Sequence, residues 1–589
     1  MKFKYINMRR IIFLAVVACL FTACVTKTAS VKVDEMVLDD QWKFNLGDSS
    51  AYASLDFDDS AWKTVSSAKC WEDQGFPEYD GFGWYRKEVA IPDSLQKMIS
   101  RYGGIMVRYN NADDADEFYF NGHRIGTFGS MPPEYSSAYG KKRLYIVPAE
   151  YVNFGQPNLM AVRVYDGTGG GGLMTTNTTI RPLCVTDAIR FTYDFPANEW
   201  VFAEGETQQM NITLKNTLDE KAKFNVVLIM TTDMYAPVDS IVTGFKLQSG
   251  DSIAAKIPFK LPAPGFYRCT IYIEKDGAIG SPEKFNIGYE PEKVISPVDG
   301  KPDLKEFWDN TRAELDKVAP KYKLTLLKDR STGAKNIYHV EMMSFGNQKI
   351  EGLYAAPKAA GKYPAIAYYM GYGSEPWYPD TNGDPGFACF VLSVRGQGLQ
   401  KATSNYGDWI VWGLDSKENY YYRGAFMDLV RAIDFLSSRP EIDAGKIVAE
   451  GGSQGGAFTI AACALDHRIK AGAPTVPFLS DYKDYFRIVD WPRSSFETYL
   501  NANPNSSWNK IYEVLTYFDI KNLAPWIECP IFMAAGLQDE TCPNHTNFAA
   551  YNQIRSEKQY RIYHEQGHGT PSEWYDLHMD FFREILGMK

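Results

Sequence analysis

Lys446-Ile447-Val448-Ala449-Glu450-Gly451-Gly452-Ser453-Gln454-Gly455-Gly456 is the stretch on which the fold of this 589-residue chain turns. Its first half reads as a buried strand. Gly451-Gly452-Ser453-Gln454-Gly455 fits G-x-S-x-G, and the Ala-rich apolar segment 457–465 reads as a helix. Strand, motif and helix in that order are the context of a nucleophile elbow. The turn is tight, so Gly451 and Gly455 are read as places where neighbouring backbone approaches closely. The helix N-terminus beneath the serine favours developing negative charge. Ser453 is the candidate nucleophile.

Outward from this stretch, the segments 363–370, 387–394, 530–536 and 560–563 are near-continuous apolar runs. Segment 423–437 carries Phe426, Leu429, Val430, Ile433 and Leu436 at helical spacing. Buried strands alternating with helices predict an α/β domain over 291–589, with a mostly parallel sheet and helices on both faces. A serine hydroxyl needs an adjacent base, itself oriented by an acid. On such a fold these follow in the order Ser, Asp or Glu, His. Asp539 stands after the strand 530–536, with Glu540 as a close rival. His564 and His568 stand after the strand 560–563. Both positions are strand C-terminal ends, where α/β sheets place ligands. His564-Glu565-Gln566-Gly567-His568 also spells H-E-x-x-H, which binds zinc only when both histidines share one helix face. Gly567, Gly569 and Pro571 argue against a helix there, so no metal site and no cofactor is expected.

Arg395-Gly396-Gln397-Gly398, Tyr420-Tyr421-Tyr422-Arg423, the elbow, Val476-Pro477-Phe478-Leu479-Ser480-Asp481 and Thr541-Cys542-Pro543 together resemble the acetyl xylan esterase / cephalosporin C deacetylase family, carbohydrate esterase family seven. The resemblance covers about 300–589. It implies a triad of Ser453, Asp539 and His568. The family's histidine lies seven residues after the arginine that here is Arg561, which selects His568 over His564. One position departs: the family has Glu after this histidine, and here Gly569 follows. An oxyanion hole on this fold uses the N–H after the nucleophile, here Gln454, and one from a loop after an early strand. By resemblance the second comes from Tyr372, whose ring would shape the acyl pocket; the bland alternative is an ordinary loop aromatic. Arg395 and Gln397 are expected to support the triad loops rather than touch substrate. The implied activity is deacetylation of an acetylated sugar through an acyl-enzyme. Its rivals are a serine peptidase of the same fold and a glycan-binding surface protein with a vestigial hydrolase domain. Family members often form oligomers, which leaves an oligomer open here.

Two β-rich units are expected ahead of the α/β domain. Over 36–186, short alternating runs end at turns such as Asn121-Gly122 and predict a jelly-roll or sandwich. Trp42-Lys43-Phe44, Asp56 to Trp62, Gly83-Trp84-Tyr85-Arg86-Lys87 and Asn121 to Gly126 resemble the galactose-binding-like sugar-binding domain of β-galactosidases and β-glucuronidases. Such a domain either docks carbohydrate or only packs, its aromatics being core. Residues 187–290 read as an immunoglobulin-like sandwich with no visible chemistry.

At the N-terminus, Lys2, Lys4, Arg9 and Arg10 precede a 13-residue apolar run, too short to span a bilayer and like a secretory signal over 1–23. Thr22-Ala23-Cys24 resembles a lipobox, so Cys24 is expected to be lipidated, with 24–35 as a tether. The expected location is outside the cytoplasm, lipid-anchored to a bacterial membrane. Apart from Cys19 and Cys24, the remaining seven cysteines are scattered without a CxxC and do not form a disulfide framework. The net charge of −10 argues against nucleic acid or an anionic membrane as partner.

Overall fold

The computed structural model describes residues 35–77, 79–167, 169–379 and 386–588. Its C-terminal part is built on one nine-stranded sheet. Across it run Lys323–Leu326, Lys335–Ser344, Gln348–Pro357, Ala388–Ser393, Tyr363–Tyr369, Ile442–Gly452, Ile469–Thr475, Ile531–Gly536 and Lys558–Tyr563. The last six strands pair in parallel. The first three join by antiparallel pairing.

The strand before the elbow shows why its central Ile447-Val448-Ala449 is a continuous apolar run. Ile447 and Ala449 enter one core, shared with the helices Tyr421–Ser437 and Gln454–Leu465. Val448 between them enters the opposite core, closed by the helix Glu573–Ile585. A strand covered on both faces has no polar side. Each such buried aliphatic side chain stabilises the fold by about 1.5–3 kcal/mol. The expected α/β-hydrolase architecture, with helices on both faces, is therefore present.

Ahead of it lie two β-sandwiches. The first packs a four-stranded sheet against a six-stranded one. The motif aromatics Trp42, Phe44, Trp84 and Tyr85 are buried in that structure, and Asp59 pairs with Arg86 and Lys43. These residues hold the domain together and are not an exposed sugar platform. The second sandwich has three- and six-stranded sheets around Ile212, Leu214, Val226, Leu228, Ile271 and Ile287.

Both sandwiches touch the α/β part. Lys141 of the first reaches Glu565 at 3.4 Å. Asp233 of the second pairs with His545 at 2.9 Å. The seven cysteines Cys70, Cys184, Cys269, Cys389, Cys463, Cys529 and Cys542 are all free. Among the described residues no helix is long and apolar enough to cross a membrane. Cys24 and the export segment lie outside the described residues.

Candidate active site

Ser453 sits between the strand Ile442–Gly452 and the helix Gln454–Leu465 at φ 59°, ψ −118°. A non-glycine residue holds such a conformation only where its surroundings over-determine it. Here the Ser453 N–H donates to Thr475 O at 2.9 Å, and Ser453 O accepts from Phe478 N and Ala457 N at 3.0 Å each. The turn has no room for a side chain at Gly451 or Gly455, where a Cβ would come within 2.4 and 2.0 Å of Tyr369 O. The crowding read from the motif is thus backbone packed on backbone. Gln454 opens the helix, so its N–H has no carbonyl partner one turn back.

Two strands further along the sheet, Asp539 follows Ile531–Gly536, and one strand beyond that His568 follows Lys558–Tyr563. His568 Nδ1 lies 2.8 Å from Asp539 Oδ2. The other carboxylate oxygen accepts from Thr541 N at 2.7 Å and Cys542 N at 2.8 Å. Both Asp539 oxygens are therefore committed, and one is aimed at the imidazole. Its rival Glu540 is exposed. Burial disfavours a charged imidazole at His568, but hydrogen bonds to Asp539 and Cys542 outweigh this and hold its pKa above the ordinary 6.5. The Cys542 thiol interacts with the His568 ring and with the Ser453 hydroxyl. Burial pushes that thiol's own pKa upward, which keeps it neutral. Nothing in the spacing of Cys542 marks its place beside Asp539 and His568.

His564 points elsewhere. Its Nδ1 and its backbone N–H both meet Glu199 Oε2, at 2.7 and 2.8 Å, and its ring packs on Trp200. The residues between the two histidines form a turn and bends rather than a helix. The imidazoles thus serve different carboxylates, and the H-E-x-x-H spelling has no shared helix face.

The oxyanion side is framed by a buried amide pair. Gln397 Oε1 accepts from Gly373 N at 3.2 Å and from Gln454 Nε2 at 3.1 Å, and Gln397 Nε2 donates to Tyr421 Oη at 2.9 Å. Tyr372 itself donates its hydroxyl to Asp408 at 2.8 Å, and its ring lies edge-on to Trp409 and Trp491. Arg395 forms a bidentate, buried pair with Asp428, at 2.6 and 2.9 Å. Arg395 thus ties its loop to the helix Tyr421–Ser437, and Gln397 braces the segments of Gly373 and Gln454.

The loops of Asp539 and His568 are also braced from outside the α/β part. The Asn286 backbone N–H donates to Gln538 Oε1 at 2.7 Å, and Asn286 Nδ2 donates to Leu537 O at 3.1 Å. Gln538 Nε2 in turn donates to His564 O at 2.8 Å. Gln538 thereby joins the loop of Asp539 to that of His568 and ties both to the second sandwich. Nothing in the spacing of Glu199 or Asn286 announced these roles.

Residues 292–584 match the family model for acetyl xylan esterase. The acetyl esterase Axe7A of Xylanibacter ruminicola is 28% identical over 304 residues, 49% of this chain and 68% of that protein. The acetyl xylan esterase of Paenibacillus sp. R4 is 30% identical, covering 50% of this chain and 98% of its own, with a TM-score of 0.48. The β-glucuronidase 2 of Bacteroides uniformis is 12% identical, covering 86% of this chain and 53% of its own, with a TM-score of 0.32. Through its C-terminal half the chain belongs to the acetyl xylan esterase family, and it is a carboxylic ester hydrolase of the carbohydrate-esterase type.

Proposed function

We propose that the chain removes acetyl groups from sugar hydroxyls, on xylo-oligosaccharides or a related decorated glycan, through an acyl-enzyme. The observation that carries this is Ser453 on its strained turn, with the His568–Asp539 pair at 2.8 Å brought to the same edge of the sheet. In this reading His568 Nε2 takes the Ser453 hydroxyl proton as Oγ bonds the ester carbonyl carbon. The oxyanion that forms is stabilised by the N–H groups of Gln454 and Tyr372. As the C–O bond to the sugar breaks, His568 returns the proton to the leaving oxygen. Water, deprotonated by His568, then attacks the acetyl-serine and releases acetate. Asp539 fixes the ring tautomer and stabilises the imidazolium. No cofactor enters these steps.

Export rests on the sequence alone: the basic head, the 13-residue apolar run and Thr22-Ala23-Cys24 support lipid anchoring at Cys24 outside the cytoplasm. Incorporation of labelled palmitate into the wild type and not into Cys24→Ala is the expected result. The substrate reading is tested by acetate release across a panel of acetylated oligosaccharides. Turnover of acetylated xylo-oligosaccharides above that of a peptide anilide is expected. Anilide cleavage without acetate release would overturn the reading.

A further inference from the structure

A cleft of about 270 Å³ opens beside His568, and its two walls come from different domains. One wall is the catalytic loop: Gln566, Gly567, His568, Gly569 and Thr570. The other consists of Asp113, Asp114, Ser137 and Tyr139, from two loops of the first β-sandwich. We propose that this second wall is a sugar-binding subsite, so that the N-terminal domain completes the substrate site and selects the glycan that carries the ester. This rests on the deacetylase reading above and names where its sugar sits.

The wall is built rather than incidental. Arg143, wholly buried, donates to Ala112 O at 2.9 Å, Asp114 O at 3.2 Å and Ala138 O at 2.7 Å, while its Nε bonds Asp116 at 2.7 Å. One guanidinium thereby locks both loops together. Ala138 N donates to Asp114 O at 2.9 Å, and Ser137 Oγ donates to Asp114 Oδ1 at 2.7 Å. The Tyr135 hydroxyl and Gly167 N complete the Asp114 carboxylate. A surface ion pair between Lys141 and Glu565 spans from the wall to the catalytic loop. A surface fixed this way loses little entropy when a ligand binds.

The lining chemistry fits a neutral pyranose. Tyr139 is 50% exposed and offers a ring face for the C–H side of a sugar. Ser137, whose proton goes to Asp114, keeps an acceptor lone pair for a sugar hydroxyl, and the Asp113 carboxyl lies on the same lining. Burial and then the neighbouring Asp114 push the Asp113 pKa up to about 9, so this carboxyl keeps its proton, shared with Asp114, and adds no second negative charge to the wall. The remaining acidic character disfavours an anionic sugar. The position follows from the reaction: the ester carbon must meet Ser453, and the leaving oxygen must meet His568, so the sugar lies on the His568 side of the scissile bond. His568 itself lines the cleft.

The test uses the full-length enzyme with Tyr139→Ala and, separately, Asp113→Asn. The first removes a half-exposed side chain and tolerates folding best. For each, kcat/KM is measured on an acetylated xylo-oligosaccharide and on p-nitrophenyl acetate, and the two are compared as a ratio. The ratio is expected to fall by about tenfold or more, chiefly through KM on the oligosaccharide. An unaltered ratio in both variants, or an equal loss on both substrates, would overturn the subsite while leaving the esterase reading standing. A wild-type enzyme that hydrolyses the aryl acetate but no acetylated sugar would overturn the deacetylase reading, and the subsite with it.

Discussion

Gln397 and Gln454 hold each other through both ends of their side-chain amides: Gln454 Nε2 lies 3.1 Å from Gln397 Oε1, and Gln397 Nε2 lies 3.3 Å from Gln454 Oε1. Gln397 also accepts from Gly373 N, next to Tyr372, and Tyr422 donates to Gln454 Oε1 at 3.0 Å. One buried amide therefore sets the spacing between the two backbone segments proposed to bind the oxyanion. Gln397→Ala leaves several buried polar groups unpaired. It is expected to cost about 1–3 kcal/mol in a urea titration, and to lower kcat on an aryl acetate more than it raises KM. A variant of full kcat would show that the amide pair only packs.

The ion pair of Arg395 with Asp428 is buried, and the Arg395 backbone N–H at 3.0 Å and the Ser344 hydroxyl at 2.5 Å add two further bonds to the same carboxylate. Arg395→Met strands that charge among apolar neighbours. A loss of about 3–5 kcal/mol is expected, the range for removing one partner of a buried pair. Arg395→Lys should not restore it, because an ammonium cannot form the bidentate contact. Equilibrium unfolding of both variants checks this.

His568 serves as a base only when neutral, and its pKa is held above 6.5 by Asp539. The kcat/KM of the wild type should therefore rise with pH through a midpoint above that of an ordinary imidazole. Asp539→Asn removes the carboxylate that raises the pKa, so the midpoint should move down. The plateau should fall by up to ~10⁴-fold, because the amide favours the wrong tautomer. A pH–rate profile whose midpoint does not move would contradict the assignment.

His545 joins the α/β part to the second sandwich. It pairs with Asp233 at 2.9 Å and also faces Asp481 and Asp484, with Lys521 on the far side of Asp481. Burial opposes its charge, but these carboxylates raise its pKa from 6.5 to about 11. A folded pKa above the unfolded value stabilises fully below the unfolded one, and the contribution declines as pH rises towards the folded one. His545→Gln should therefore lower Tm most below pH 6.5, with the gap to the wild type narrowing as pH climbs towards about 11. A gap that widens with pH would contradict the pairing.

The central strand and the elbow were legible because their constraints are local. A strand buried on both faces must be apolar, and a serine at φ 59° needs glycine around it. The helix Tyr421–Ser437 was legible from its 3.6-residue period. The antiparallel strands Lys335–Ser344 and Gln348–Pro357 were not singled out. They carry charged and polar residues such as Lys335, His339, Glu341, Lys349 and Glu351 among the apolar ones, so no continuous run marks them. Choosing His568 over His564 needed either the family pattern or the structure, since both follow the same strand. The braces from Glu199 and Asn286, and the wall around Asp113, depend on how separate domains meet. No period or motif encodes that.

The central claim is that Ser453 is the nucleophile, and acetate release from an acetylated xylo-oligosaccharide by Ser453→Ala tests it most directly. The substitution keeps a Cβ and removes only the hydroxyl. Turnover is predicted to fall by roughly 10⁵–10⁶-fold, as when a triad serine is lost, with the melting temperature retained. Acetate release by Ser453→Ala within a few-fold of the wild type would contradict the account.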